Sequence, residues 1–548
     1  MTGAEAFVAE AKRQGLDAIF TLVGDHLNEV LAVAEREGLR IVDMRHESGV
    51  THAADAWARI HRKPALALVT GGPGHTNALT GIATAQLASS PLIAVSGSRS
   101  SKLGARGAFQ DIDQVGMARP VTKWSAEVAD ASQIPFYLRR ACEIANAGRR
   151  GAVHLTIPVD VFQATATPAA ARESVPVTAA KPDVSAAIQL LRTAERPILI
   201  AGSGVWWADA GPELREFVER TSLPLYTITM AKGCVPDDHP GVMGYADPAL
   251  NTAVRTAFRE ADVVLVIGKR IDYRLALGGP RLFAPEAKFI QIDVEPTELG
   301  LNRPLACAIQ ADVKSALRAL IDTAGAGAWV RIAWFDRLAE LRESHNRWLA
   351  EAQSDTALPI RPAAFYRELL RALPRETLYA WDGGDFAHWG RVSIPALHAG
   401  GWLRLGPLGT IGSALPNGIA LQLAHPNRPV AVITGDGSLG FYLAEIDTAV
   451  RHKLPLILIV GNDAGWGLER ELQAATVTGS PNVACELAPT RYDVITQGFG
   501  GDGETVERLD QVAPAVARAL ASKVPYCLNV RIQGVRSPFT DWQILGKR

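Results

Sequence analysis

The chain has 548 residues, more than one hydrophobic core organises, so roughly two to four domains are expected. Its 48% hydrophobic and 21% charged residues are ordinary for a globular protein, and a net charge of −1 gives no electrostatic reason to bind nucleic acid or an anionic membrane. Five cysteines without a CxxC pair argue against disulfide scaffolds and zinc knuckles; with no basic–apolar leader and no long apolar run, the chain reads as cytoplasmic.

Short runs of Val, Ile and Leu alternate with helical patterns almost throughout. His26 lies in the loop segment Val23-Gly24-Asp25-His26. A strand over 41–44 ends in Arg45-His46-Glu47, and an Ala-rich helix follows over 49–59. A glutamate there is a candidate buried acid; taken alone, it is also the common acidic residue of a helix's first turn. Strand 65–70 runs into Gly71-Gly72-Pro73-Gly74-His75-Thr76-Asn77, a glycine loop opening a helix, and strand 91–96 precedes Ala108-Phe109-Gln110-Asp111. Residues 163–186, rich in Ala, Thr and Pro, carry no period and read as a linker.

The next apolar strands, 197–201 and 262–267, lead into Gly202-Ser203-Gly204 and into Gly268-Lys269-Arg270-Ile271-Asp272-Tyr273-Arg274. A helical connection through 330–352 and a second linker, 353–362, separate these from strand 378–381, Gly384-Asp385-Phe386 and the loop Gly406-Pro407-Leu408-Gly409-Thr410-Ile411-Gly412. Strand 430–434 enters Gly435-Asp436-Gly437-Ser438, and strand 456–460 enters Gly461-Asn462-Asp463-Ala464-Gly465-Trp466-Gly467. Continuously apolar strands are those of parallel sheets covered on both faces, and their alternation with helices predicts an α/β fold. The chain is expected to divide at about 1–165, 185–330 and 360–548.

Glycines at a strand-to-helix turn let backbone N–H groups approach an anion. A carboxylate beside such a pocket makes sense if a hard cation bridges the two. Asp436 and Asp463 both follow apolar strands one helix apart, where open parallel sheets collect ligands, so they are candidates to share an ion. Gly-Asp-Gly by itself would be only a turn.

Taken together, the three-domain order, the Arg45-His46-Glu47 strand end, the Gly72-Pro73-Gly74 loop with Thr76-Asn77, and the spacing of Gly435-Asp436-Gly437 to Asn462-Asp463 resemble the thiamine-diphosphate (ThDP) enzyme superfamily. That group includes acetolactate synthase, benzaldehyde lyase, oxalyl-CoA decarboxylase and 2-hydroxyacyl-CoA lyase. The resemblance covers essentially the whole chain. It implies three doubly wound parallel-sheet domains (pyrimidine-binding, middle Rossmann-like and diphosphate-binding) in a homodimer or homotetramer with active sites between subunits. Glu47 would be the acid that activates the cofactor. Asp436, Asp463 and the Gly465 carbonyl would hold Mg²⁺, with Asp463 standing where the family more often has asparagine. Gly384, Asp385, Phe386, Gly437, Ser438, Trp466 and Gly467 would frame the diphosphate. The Gly409 carbonyl would meet the aminopyrimidine, and Ile411 would wedge the cofactor or merely fill core.

His26 and Gln110 match substrate-facing positions of benzaldehyde lyase, whereas Asp25 departs from it. Glu486 is a candidate base for a substrate hydroxyl, or else a helix-start glutamate. In relatives the middle domain binds FAD, ADP or a CoA nucleotide; here Lys269, Arg270 and Arg274 would make the contacts, unless the domain is empty. The end of the chain, 535–548, reads as a lid over an acyl-CoA or as a packed tail. The leading expectation is a lyase splitting a 2-hydroxyacyl-CoA into an aldehyde or ketone and formyl-CoA. Acetolactate-synthase, benzaldehyde-lyase and 2-oxo-acid or oxalyl-CoA decarboxylase chemistries are the alternatives. A silent ThDP-binding subunit and a purely structural protein lie outside catalysis altogether.

Overall fold

A computed structural model describes residues 1–104, 106–167, 180–325, 329, 331–479 and 482–547. Among them, the apolar runs become three six-stranded sheets in which every pair is parallel. The first holds β1 (Ala18–Thr21), β2 (Arg40–Asp43), β3 (Ala65–Val69), β4 (Leu92–Ser98), β5 (Trp124–Glu127) and β6 (Val153–Pro158), ordered β2-β1-β3-β4-β6-β5. The second holds β7 (Pro197–Ala201), β8 (Leu225–Thr227), β9 (Val242–Tyr245), β10 (Val263–Ile267), β11 (Lys288–Asp293) and β12 (Cys307–Gln310), ordered β12-β11-β10-β7-β8-β9. The third holds β13 (Leu378–Trp381), β14 (Trp402–Arg404), β15 (Val430–Gly435), β16 (Ile457–Asn462), β17 (Asp502–Val506) and β18 (Tyr526–Arg531), ordered β14-β13-β15-β16-β18-β17.

The expected α/β class therefore holds, and the reason is visible strand by strand: every residue of β3, β7 and β10 is buried. Strands covered on both faces cannot alternate polar with apolar residues. The first and third sheets share one order, while the middle sheet has the dinucleotide-binding order. In each, the chain reverses direction beside the first strand, between β1 and β3, β7 and β10, and β13 and β15. The glycine loops follow these strands, so three crevices open at the carboxyl ends of the sheets.

Small side chains join the outer domains. Helix Glu47–His61 packs on Pro73–Ala88 within the first domain and on Ala414–Ala424 of the third. Ala53, Ala56 and Trp57 thereby enter one apolar cluster with Leu415, Ile419 and Ala420. A Cβ at Gly81 would collide with the Thr51 side chain, so that glycine is what lets two of these helices touch. Half of the first predicted linker, residues 168–179 of 163–186, lies outside the described residues. Helix Ile332–Ser354 leads to the helix that opens at Pro362. No helix among the described residues is long and apolar enough to cross a membrane.

Of the two readings for the end of the chain, the structure holds the packed one. Helix Pro538–Lys547 lies on helix Gly384–Ser393. Ser537 N–H, Ser537 Oγ and Thr540 Oγ1 donate to Asp385 Oδ1 at 3.0, 2.5 and 2.6 Å. The Trp542 ring takes the Arg281 and Arg255 guanidiniums of the middle domain at 3.7 and 4.8 Å.

At the end of β16, a Cβ on Gly461 would run into the Phe386 ring, which helix Gly384–Ser393 lays over that strand. Gly461→Ala is expected to destabilise the third domain by about 1–3 kcal/mol through overpacking. A lowered midpoint in urea unfolding followed by tryptophan fluorescence checks it.

Candidate active site

The crevice of the third domain is organised by a residue that the sequence reading passed over. Asp382, at the end of β13, is almost fully buried. Its Oδ1 accepts Gly383 N–H at 2.8 Å and Gly412 N–H at 2.9 Å, and its Oδ2 accepts Thr434 Oγ1 at 3.1 Å. One carboxylate thus ties together the loop after β13, the loop carrying Ile411, and the end of β15. Burial pushes this carboxyl up to about 6 against the donors that hold it down. Gly383 lies so near Ile411 that a Cβ there would be 3.1 Å from Cγ2. The only trace in sequence was a polar residue closing an apolar strand.

Asp436 opens the short helix Asp436–Leu439, and its Oδ2 accepts Gly465 N–H at 3.1 Å. Burial, and next the charge of Asp463, push the Asp436 carboxyl up to about 7. Asp463 is bonded in turn to Arg470 Nη2 at 2.7 Å. Two carboxylates and one guanidinium leave one negative charge, on hard oxygen donors, which fits a Mg²⁺ ion. Arg470 thus offsets the charge of Asp463. Trp466 closes one side, because a Cβ on Gly437 would be 2.7 Å from its indole, and Gly467 has no Cβ to strike Asp463 Oδ2.

Gly384, Asp385, Phe386, Ile411 and Ser438 line one cavity of about 170 Å³ with Asp436, Gly437, Asp463, Gly465, Trp466 and Gly467. Gly409, at φ +77°, is not among its lining residues. Asp385 reaches this cavity while its Oδ1 is held by Ser537 and Thr540, and burial pushes it up to about 6. Every described residue lining the cavity lies between 362 and 535, so the first domain contributes none.

The first domain presents its own set. Glu47 begins helix Glu47–His61, capped by His46, whose Nδ1 accepts Ser48 N–H at 3.1 Å. Glu47 is buried, and Asn77 Nδ2 donates to its Oε2 at 3.0 Å. The strand end is fixed from the third domain: Glu445 accepts Arg45 N–H at 3.2 Å, His46 N–H at 3.1 Å and Thr448 Oγ1 at 2.6 Å. Gly49 makes room, since a Cβ there would lie 2.5 Å from Glu445 Oε1. Burial pushes the Glu445 carboxyl up to about 7.

His26 sits in the crevice between β1 and β3. Its Nδ1 lies 2.8 Å from Thr70 Oγ1 and accepts Gly71 N–H at 3.2 Å. A peptide N–H only donates, so Nδ1 is bare and the neutral ring carries its hydrogen on Nε2. Burial holds His26 below the ordinary histidine range. In that tautomer its free ring nitrogen, Nε2, is a hydrogen-bond donor. Gln110, at φ +61°, packs on Gly72, but the glutamine that bonds Gly72 N–H is Gln114, at 3.1 Å. Glu486 keeps 72% of its side chain exposed, 3.5 Å from Arg470.

In the middle domain the three cations expected to meet a nucleotide are already engaged. Lys269 Nζ lies 2.7 Å from Asp272, Arg270 Nη2 donates to Leu87 O at 2.9 Å, and Arg274 Nη1 to Asp247 at 2.8 Å. They still line a cavity of about 360 Å³ where the three domains meet.

Residues 1–117 match the N-terminal TPP binding domain of thiamine pyrophosphate enzymes, 184–320 the central domain, and 382–530 the C-terminal TPP binding domain. A probable acetolactate synthase of Mycobacterium bovis is 35% identical over 95% of this chain and 93% of its own length. The 2-hydroxyacyl-CoA lyase 1 of Mus musculus is 31% identical over 97% of this chain and 94% of its own. The acetolactate synthase isozyme 2 large subunit of Escherichia coli is 30% identical over 97% and 96%.

Two outcomes follow from the buried carboxylates. Asp382→Ala strands buried donors and is expected to cost about 1–3 kcal/mol or more, seen as a lower melting temperature. Glu445 has a folded pKa raised from 4.5 to about 7, so its contribution to stability is complete below pH 4.5 and lost as pH rises through 7. The melting advantage of wild type over Glu445→Gln should shrink between pH 4.5 and 8, by about 3 kcal/mol in all.

Proposed function

The chain belongs to the thiamine pyrophosphate enzyme family, and from that premise we propose that it is a ThDP- and Mg²⁺-dependent lyase or carboligase acting on carbon–carbon bonds beside a carbonyl. The substrate we favour is a 2-hydroxyacyl-CoA, cleaved to an aldehyde or ketone and formyl-CoA. The observation that carries the reading is His26, whose fixed Nε2–H offers a neutral donor in the first-domain crevice. A donor so placed stabilises charge developing on a carbonyl oxygen, and it needs no proton from solvent.

Asp436, Asp463 and the Gly465 carbonyl would hold Mg²⁺, and the Gly384 and Gly437 loops would take the diphosphate. Bound there, thiamine supplies the nucleophilic carbon and the electron sink for carbonyl substrates. Glu47, oriented through Oε2 by Asn77, would use its other carboxylate oxygen to hold a proton for the aminopyrimidine ring. Because the first domain lines none of the diphosphate cavity, Glu47 would serve a second copy of the chain, in a homodimer or homotetramer. The middle-domain cavity suits ADP or a CoA nucleotide, with Gly204 and Arg270 in the crevice of a dinucleotide-order sheet.

Acetolactate synthesis from pyruvate is the second reading, favoured by the 35% identity to the Mycobacterium bovis protein. Purified protein with ThDP and Mg²⁺ should convert 2-hydroxyisobutyryl-CoA to acetone and formyl-CoA. Acetolactate from pyruvate with an untouched thioester would sink the first reading in favour of the second. Glu47→Gln is expected to lose about 10²–10⁴ in kcat while keeping the ThDP-dependent rise in melting temperature. Near-normal turnover in that variant would overturn the role given to Glu47.

A further inference from the structure

Where the middle domain meets the third, three guanidiniums are buried together, and the thiamine site uses none of them. Arg391, from helix Gly384–Ser393, and Arg404, from β14, are each 6% exposed. Arg274, after β10, completes the group. Arg274 Nη1 donates to Asp247 Oδ2 at 2.8 Å, and Arg404 Nη1 donates to the Tyr245 hydroxyl at 3.0 Å. Arg391 has no hydrogen-bond or ion-pair partner among the described residues. Its Nε and that of Arg404 are buried donors without acceptors, and the buried His388 adds an unpartnered Nδ1.

The charges do not balance from within. Among the described residues, Asp247 is the one carboxylate bonded to the guanidiniums, since neighbouring Asp272 is bonded to Lys269. Burial, and then Arg404, hold Arg391 down to about 9, which still leaves it charged at neutral pH. The same three cations, after burial, keep His388 far below its ordinary range and so uncharged. A buried cation is stable only beside an opposite charge. Three positive charges and one negative leave two, which a dianion would cancel. Guanidinium forks match the oxygens of phosphate in a way a lysine cluster would not.

There is also a way in. Arg391 lines a cleft of about 1010 Å³ between residues 232–251, helix Ile332–Ser354 and residues 391–395. Arg274 and Arg404 line the three-domain cavity on the other side. We propose that Arg274, Arg391 and Arg404 form a binding site for a phosphate-class oxyanion at the junction of the middle and third domains. Its occupant is either free phosphate or the phosphoryl group of a nucleotide lying in the adjoining cavity; the oxyanion chemistry is common to both.

The test follows thermal melting of the full chain with saturating ThDP and Mg²⁺, so that the diphosphate pocket is filled. Sodium phosphate is titrated against sodium chloride at matched ionic strength. Phosphate should give a saturable rise in melting temperature that chloride does not, and Arg391→Met should lose that rise while keeping its response to ThDP. No phosphate-specific rise in wild type, or an undiminished one in Arg391→Met, overturns the site. Should the methionine variant fail to fold, Arg391→Lys keeps the charge without the fork and should raise the half-saturating phosphate concentration about tenfold; an unchanged value there is equally fatal. ADP that displaces the phosphate effect assigns the oxyanion to a nucleotide. ADP or adenosine effects that add to it assign the site to free phosphate.

Discussion

A carboxylate of the third domain, Glu445, grips the backbone of the first at Arg45 and His46, one residue before Glu47. The contact spans 400 positions of sequence, and it sets where helix Glu47–His61 begins. Around it the two domains share an apolar cluster built largely from alanine, which lets helices approach closely. Arg451 reinforces the same junction by bonding Asp43 at the end of β2. The acid in the first domain is therefore held by the third domain of its own chain, although it does not line that domain's cavity. Rigidity and reach come from different places: one subunit holds the acid still, and the arrangement proposed above lets another use it.

The first and third sheets reach the same strand order by separate stretches of sequence, and each puts glycine loops at its reversal point. What differs is the polar residue at the loop bases. In the third domain, Asp382 draws two loops and the end of β15 together through two backbone N–H groups and the Thr434 hydroxyl. In the first, His26, whose ring also meets Thr70, and Gln114 satisfy the backbone N–H groups of Gly71 and Gly72 instead. One strand order thus carries two differently tied crevices without a change of fold.

The strands and glycine loops were legible because continuous apolar runs have one cheap solution, a sheet buried on both faces. The Asp436–Asp463 pairing was legible from spacing alone, since each follows a strand end. The rest depended on partners remote in sequence. Arg470 beside Asp463, Asn77 on Glu47 and Asp382 under Gly412 are ordinary residues until folding brings them together. The tautomer of His26 rests on a peptide N–H 45 positions away. Gln114, four residues beyond Gln110, carries no signal of its own in spacing or composition. Its role shows only in the fold, where it accepts the N–H of Gly72.

The docking of Ser537 and Thr540 on Asp385 bears on how the protein is made. Asp385 leaves the ribosome some 152 residues before Ser537. Until then, the loop after β13 contains a carboxylate due for burial but lacking its hydroxyl donors. A nascent third domain with all six strands extruded is still unable to close this corner in its final form. This corner of the third domain therefore closes only after a segment 152 residues downstream has been made.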